Sequence, residues 1–144
     1  MDNAQVARGV FEELFGQGRL DFIDQNYDRS FRGHDTLVRD YDFNQIKNNV
    51  QMYRTGFPDL TMTVDDLVTA TDKVLVRWTA RGSHSGEFLG QPGTGKQSQV
   101  QGITVISFRN GKIIEDYTQW DVLALLRDLG ISSEATQIPA QPSA

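Results

Sequence analysis

Asp116, Thr118 and Trp120 stand two residues apart in the stretch Lys112-Ile-Ile-Glu-Asp-Tyr-Thr-Gln-Trp120. If that stretch is extended, they share one face with Ile114, while Ile113, Glu115, Tyr117 and Gln119 take the other. A carboxylate beside an aromatic wall is desolvated, its pKa rises, and it can take and return a proton near neutral pH. On a solvated face the same aspartate would pair with an arginine instead. Asp121 follows closely as a second candidate acid/base, although its position also suits the capping of a helix. His34 precedes Asp35, which could orient its imidazole for proton transfer, and His84 adjoins a glycine-rich segment. Tyr53, Phe57, Trp78 and Trp120 could wall an apolar cavity, with His84 and Thr118 as its polar contacts.

The elements that must position these groups follow from periodicity. Val6, Val10, Phe11, Leu14 and Phe15 form a stripe on a helix over residues 3 to 15, stopped by Gly16-Gln-Gly18. Leu20, Ile23 and Tyr27 mark a second, shorter helix, and Asp28 to Asp35 reads as polar turn residues. Phe43, Ile46, Val50 and Tyr53 make a third helix from Asp42 to about Arg54, closed by Gly56 and Pro58. From Leu60 the period changes to two, which predicts strands at Leu60–Thr69, Lys73–His84 and Gln99–Arg109. Asn110-Gly111 is a type I′ hairpin signal leading into the strand that carries Asp116. Leu123, Leu126 and Leu129 at helical spacing, then Gly130, give a short final helix. Helices followed by a run of strands predict an α+β domain, a cone with helices covering one face of a strongly curved antiparallel sheet. Residues 1–131 should form this single domain, with 132–144 a flexible tail.

Composition narrows the chemistry. The 144-residue chain has no cysteine, which removes disulfides and thiolate chemistry, and its two histidines lack metal-ligand spacing. Gly93-Thr-Gly-Lys96 is not a phosphate loop, because the upstream glycine is missing and Gln97 follows the lysine. A net charge of −5 argues against nucleic acid. No stretch approaches the length of a membrane span and the N-terminus lacks signal-peptide character, so a cytoplasmic protein is expected. Apolar residues on both sheet faces, such as Leu75, Ile103, Val105 and Ile113 opposite Val74, Val76, Val100 and Ile114, predict a homodimer or homotetramer, because one helical layer covers only one face.

Phe57-Pro-Asp-Leu60, Arg77-Trp-Thr-Ala-Arg-Gly-Ser-His-Ser-Gly-Glu-Phe-Leu-Gly-Gln-Pro-Gly-Thr-Gly-Lys96, Gly111-Lys-Ile-Ile-Glu115 with Asp121, and Leu125-Leu-Arg-Asp-Leu-Gly130 together resemble the SnoaL-like polyketide cyclases. The resemblance implies the NTF2-like cone, an oligomer, and an apolar cavity for polycyclic substrates. It also implies an acid/base aspartate seven residues after the hairpin glycine, where this chain has Thr118. The expected activity is a cyclase or isomerase of polyketide-type natural-product biosynthesis, working without a cofactor or metal. Asp116, His34 or Asp121 would carry any proton transfer, and otherwise the cavity's shape would act as an entropy trap. The alternatives are a hydroxylase or epoxide hydrolase, using a carboxylate with Arg77 or Arg81, and a binding protein without turnover.

Overall fold

The computed structural model describes residues 1–132. Apart from Ser132, the tail expected at 132–144 lies outside the described residues. Helix α1 (Asn3–Gly9) starts where the Asp2 carboxylate accepts the Gln5 N–H at 2.8 Å and the Gln5 side chain accepts the Asp2 N–H at 3.0 Å. It runs on as π-helical turns over Val10–Phe15. Such wider turns change which side chains share a face, and here Val10, Phe11 and Phe15 all reach the interior cavity. Arg54 stops this helix by donating to the Phe15 and Gly16 carbonyls at 2.9 and 3.0 Å. Helix α2 is Asp21–Asn26, and Tyr27, expected on its stripe, opens a strand.

The stretch expected as turn residues forms strand β1 (Tyr27–Asp35), followed by β2 (Arg39–Asp42). Along β1, Phe31 and Gly33 are buried while Arg32 is exposed. Glycine at one inward position and aspartate at the next erase the hydrophobic alternation by which a strand is recognised. Helix α3 (Phe43–Gly56) then leads to β3 (Thr61–Thr69), β4 (Lys73–Ser83), β5 (Gln97–Arg109) and β6 (Lys112–Trp120), and α4 (Val122–Leu129) closes the described fold. The result is α+β, four helices on a curved, open six-stranded sheet ordered β2-β1-β6-β5-β4-β3. All neighbours are antiparallel except β1 and β6, which run parallel, with Gly33 opposite Asp116 and Asp35 opposite Thr118. A parallel pair needs a long connection, and everything from β2 to β5 supplies it.

A bulge corrects the expected facing of β6. Ser107 pairs with Glu115 and Phe108 with Ile113, so Ile114 is the extra residue. Ile113 therefore turns inward and is fully buried, on the side where Asp116 also lies, and Ile114 is only half-buried. The turn at Asn110 and Gly111 has φ of 52° and 77°, as a type I′ hairpin requires. Helix α1 and its π-helical extension pack on β3 and β4, α3 on β1 and β2, and α4 on β5, enclosing one hydrophobic core. On the opposite face of the sheet Val68, Ile103 and Tyr117 remain exposed. No helix among the described residues is long and apolar enough to cross a membrane.

Candidate active site

The cone encloses a cavity of about 110 Å³. Its walls are largely aromatic: Phe11 from the π-helical turns after α1, Tyr53 and Phe57 at the end of α3, Trp78 from β4 and Trp120 from β6. Phe11 and Trp78 stack with ring centroids 5.8 Å apart. Two glycines let the larger rings lie flat on the sheet. A Cβ on Gly102 would stand 2.3 Å from the Trp78 indole, and one on Gly33 would stand 2.2 Å from the Tyr41 ring.

Asp116 lines this cavity and is 6% exposed. The Tyr41 hydroxyl donates to both of its carboxylate oxygens, at 3.2 and 3.1 Å. Burial pushes the Asp116 pKa up to about 7. The Tyr41 hydrogen bond opposes the rise, the nearby Asp35 charge adds to it, and the His34 backbone N–H and imidazole charge pull it down. The Tyr41 phenol is itself raised well above 10 by burial and by the Asp116 charge, so it remains a protonated donor. Asp116 is thus a carboxyl group that can exist in either state near neutral pH.

Asp35 is the cavity carboxylate that periodicity did not reveal. It reaches the cavity from β1, directly across from Thr118. The backbone N–H groups of Leu37 and Val38 donate to it at 2.8 and 3.2 Å, and the Trp120 indole N–H at 3.3 Å. Burial raises its pKa, while these three donors oppose the rise by favouring the ionised form. The sequence signal that could have found it is the spacing Phe31-x-Gly33-x-Asp35, with Arg32 and His34 between. Beside this pair, the Trp78 indole donates to Thr104 Oγ1 at 3.1 Å and Thr104 contacts Thr118 Oγ1 at 2.8 Å. With the Trp78 N–H on Thr104, the Thr104 hydrogen can pass to Thr118, which leaves the Thr118 hydroxyl able to donate into the cavity.

Of the residues expected from sequence, Asp116, Thr118, Tyr53, Phe57, Trp78 and Trp120 come together here. Three others do not. His34 lies on the outer face of the sheet, its Nδ1 2.9 Å from Asp40, its Nε2 3.1 Å from Glu115 and its ring stacked on Tyr117. Burial disfavours its charged form, but the two carboxylates outweigh that and raise its pKa. Its odd-numbered neighbours Gly33 and Asp35 take the cavity side, so His34 cannot stand across the cavity from Asp116. Asp121 caps α4, accepting the Ala124 N–H at 2.9 Å, and it too lies outside the cavity. His84 is fully buried behind the wall, its ring against Phe57 and Phe88 and its Nδ1 3.1 Å from Thr94 Oγ1. It supports Phe57 and the loop after β4 without lining the cavity. Arg77 points to the surface near Asp65, at 3.8 Å, and the Arg81 side chain, on the same strand face, bonds Gln99 and Thr63. Among the described residues no group of three or more metal-ligating side chains converges.

The family model described as SnoaL-like polyketide cyclase matches residues 5–129. Among solved structures, the chain is similar to IdmH from Streptomyces antibioticus, a candidate polyketide cyclase, at 29% identity and a TM-score of 0.77, over 88% of this chain and 97% of that one. A candidate SnoaL-like polyketide cyclase from Jannaschia sp. CCS1 superposes with a TM-score of 0.82 at 24% identity, over 90% of this chain and 92% of that one. AclR, a candidate hydroxylase from Streptomyces galilaeus, gives 0.74 at 22% identity, over 88% and 90%. The last two likenesses carry the fold alone. No protein of curated function matches the chain.

Proposed function

The chain belongs to the SnoaL-like polyketide cyclase family, and from that premise we propose that it closes a ring in, or isomerises, an apolar polyketide-type small molecule by proton transfer at Asp116, without a cofactor. The observation that carries this reading is the buried Asp116 carboxyl, held by Tyr41 in an aromatic cavity with its pKa near 7. For an aldol closure, ionised Asp116 takes a proton from the carbon next to a carbonyl. The resulting enolate carbon bonds to a second carbonyl carbon, whose π pair moves onto its oxygen. Protonated Asp116 then returns the proton to that oxygen. One group with a pKa near the working pH serves both transfers. The aromatic walls hold the chain folded, so the closing carbons meet at high effective concentration. Burial raises the Asp116 pKa, and the neighbouring Asp35 carboxylate adds to the rise.

The base role of Asp116 fixes the sign of the pH dependence. Because the base form of Asp116 starts the reaction, kcat/KM should rise with pH through a midpoint near 7. Tyr41→Phe removes a hydrogen bond that favours the ionised form, so the midpoint should move to higher pH with a loss in rate of about tenfold. A profile flat from acid to alkaline pH, unchanged in Tyr41→Phe, would leave no proton-transfer role for Asp116. The site would then act by shape or hold its ligand without turnover.

A second copy of the chain completes the proposal. Ile103 is 45% and Tyr117 54% exposed on the sheet face away from the helices. The half-buried Leu75 and Val105 continue that apolar strip. Burying it against another sheet removes it from water. Light scattering should give a dimer or tetramer at micromolar concentration. Tyr117→Lys with Ile103→Lys should give the 16.2 kDa monomer. A wild-type monomer would overturn the assembly.

A further inference from the structure

Taking a proton from a carbon next to a carbonyl puts negative charge on that carbonyl's oxygen, and a positioned donor at the oxygen lowers the barrier. In the ring closure described above, Asp116 meets the second oxygen when it returns the proton, and the first oxygen still lacks a partner. Most side-chain donors facing the cavity are already engaged: the Tyr41 hydroxyl on Asp116, the Trp120 indole on Asp35, the Trp78 indole on Thr104 and the Ser98 hydroxyl on Asp128. The hydroxyls of Thr104, Thr118 and Tyr53 remain.

The direction of the chain Trp78–Thr104–Thr118 decides between the two threonines. An indole N–H can only donate, so Thr104 Oγ1 accepts from Trp78 at 3.1 Å. Thr104 is 2% exposed, and among the described residues its hydroxyl has one further partner, Thr118 Oγ1 at 2.8 Å. Were Thr118 the donor of that bond, the Thr104 hydrogen would be buried without an acceptor, which folded chains avoid. Thr104 therefore donates to Thr118, whose own hydrogen is left over. Thr118 is half-buried and lines the cavity from β6. The bond from Thr104 fixes where its oxygen sits, and a hydroxyl that accepts one hydrogen bond becomes a stronger donor of the next. Asp116 and Thr118 are neighbours on one strand face, roughly 6.8 Å apart along β6. A ketone spans that gap with its α-hydrogen toward Asp116 and its oxygen toward Thr118, at contacts of about 3 Å. Tyr53 packs on Trp120, two residues farther along the strand from Asp116, and is the competing donor.

We propose that Thr118 is a second catalytic residue, whose hydroxyl donates to the carbonyl oxygen next to the carbon that Asp116 deprotonates. As the proton passes to Asp116, the C–H pair forms the C=C bond of the enolate and the carbonyl π pair moves onto the oxygen held by Thr118. Thr118 keeps its own proton throughout. When the enolate carbon forms its new bond, the carbonyl re-forms. The inference rests on Asp116 being the base, and one probe separates the two. Acetophenone, carbon-13 labelled at the carbonyl, is bound to the full chain at about pH 8.5, where Asp116 is ionised and only accepts. Its infrared carbonyl band should lie below the position found in hexane, and should return toward that position in Thr118→Val. The same change should weaken acetophenone about three- to tenfold and leave ethylbenzene, the ring without the oxygen, unaffected. Deuterium uptake at the acetophenone methyl, followed by NMR in D2O, reads the enolisation itself. It should fall to the buffer rate in Asp116→Asn, fall by about 10² in Thr118→Val and recover most of that loss in Thr118→Ser. A band and an uptake rate unchanged in Thr118→Val would overturn the proposal and leave Asp116 standing. If both changed in Tyr53→Phe instead, the donor would be Tyr53. Uptake at the buffer rate in the wild-type chain, with the band still shifted by Thr118, would remove the base and reduce Thr118 to a binding contact. If neither acetophenone nor ethylbenzene binds, the cavity reading falls and this proposal with it.

Discussion

Asp116→Asn should lower turnover by about 10² to 10⁴ and at the same time make the protein more stable at alkaline pH. The two effects share one cause. Burial raises the Asp116 pKa from an ordinary 3.8 to about 7, so the folded chain holds its proton more tightly than the unfolded chain does. For a raised carboxyl, that contribution to stability is full below the ordinary pKa and is lost as pH rises through the folded one. At about 1.4 kcal/mol per pKa unit, keeping the ionised form buried at pH 8 costs up to about 4 kcal/mol. Asparagine keeps the shape, can still accept from Tyr41 and never ionises. Denaturant unfolding should therefore show wild type and variant converging at acid pH, with the variant ahead by about 1–4 kcal/mol at pH 8. Asp121→Asn is the control. Asparagine caps a helix about as well as aspartate and Asp121 lies outside the cavity, so neither rate nor stability should change much. Lost turnover in Asp121→Asn with turnover kept in Asp116→Asn would reverse the assignment.

Gly33→Ala should damage the site without touching a titratable group. Its Cβ would lie 2.2 Å from the Tyr41 ring, well inside contact distance, so the ring or the strand must move. Overpacking of this kind costs about 1–3 kcal/mol. Here the displaced ring also takes its hydroxyl off Asp116, and the rate should fall with the stability. The origin is testable by a double-mutant cycle. In a Tyr41→Ala background the space above residue 33 is empty, so Gly33→Ala should have little further effect on unfolding free energy. Full additivity of the two changes would show that the glycine is needed for some reason other than the tyrosine.

How far these features could be read from sequence depends on what each element presents. The stripe Val6, Val10, Phe11, Leu14, the period-two strands from β3 to β5, the Asn110-Gly111 turn and the Gly130 stop were legible because each is a local signal with one physical cause. Strand β1 was not legible, because its inward positions include Gly33 and Asp35, chosen for the room and the charge they give the site rather than for hydrophobicity. The missing strand is also why Asp35 went unseen and why His34 was expected in the cavity. Without the strand there was no alternation to put the two on opposite faces. The bulge at Ile114 shows the limit of parity. It exchanged Ile113 and Ile114, yet Asp116, Thr118 and Trp120 kept their expected face because they lie beyond it. His84 is an aromatic-packed support whose neighbours, Phe57 and Phe88, are distant in sequence, so nothing local distinguished it from a ligand contact.

The protonation state of the Asp116 carboxyl group decides whether it can move a proton, and that state can be observed without a substrate. Carbon-13 labelling of the aspartates and NMR titration of their side-chain carboxyl carbons, in the wild-type chain and in Asp116→Asn, resolves the Asp116 signal by its disappearance. This signal should titrate with a midpoint near 7. A midpoint near 4, the ordinary range for an exposed aspartate, would contradict it.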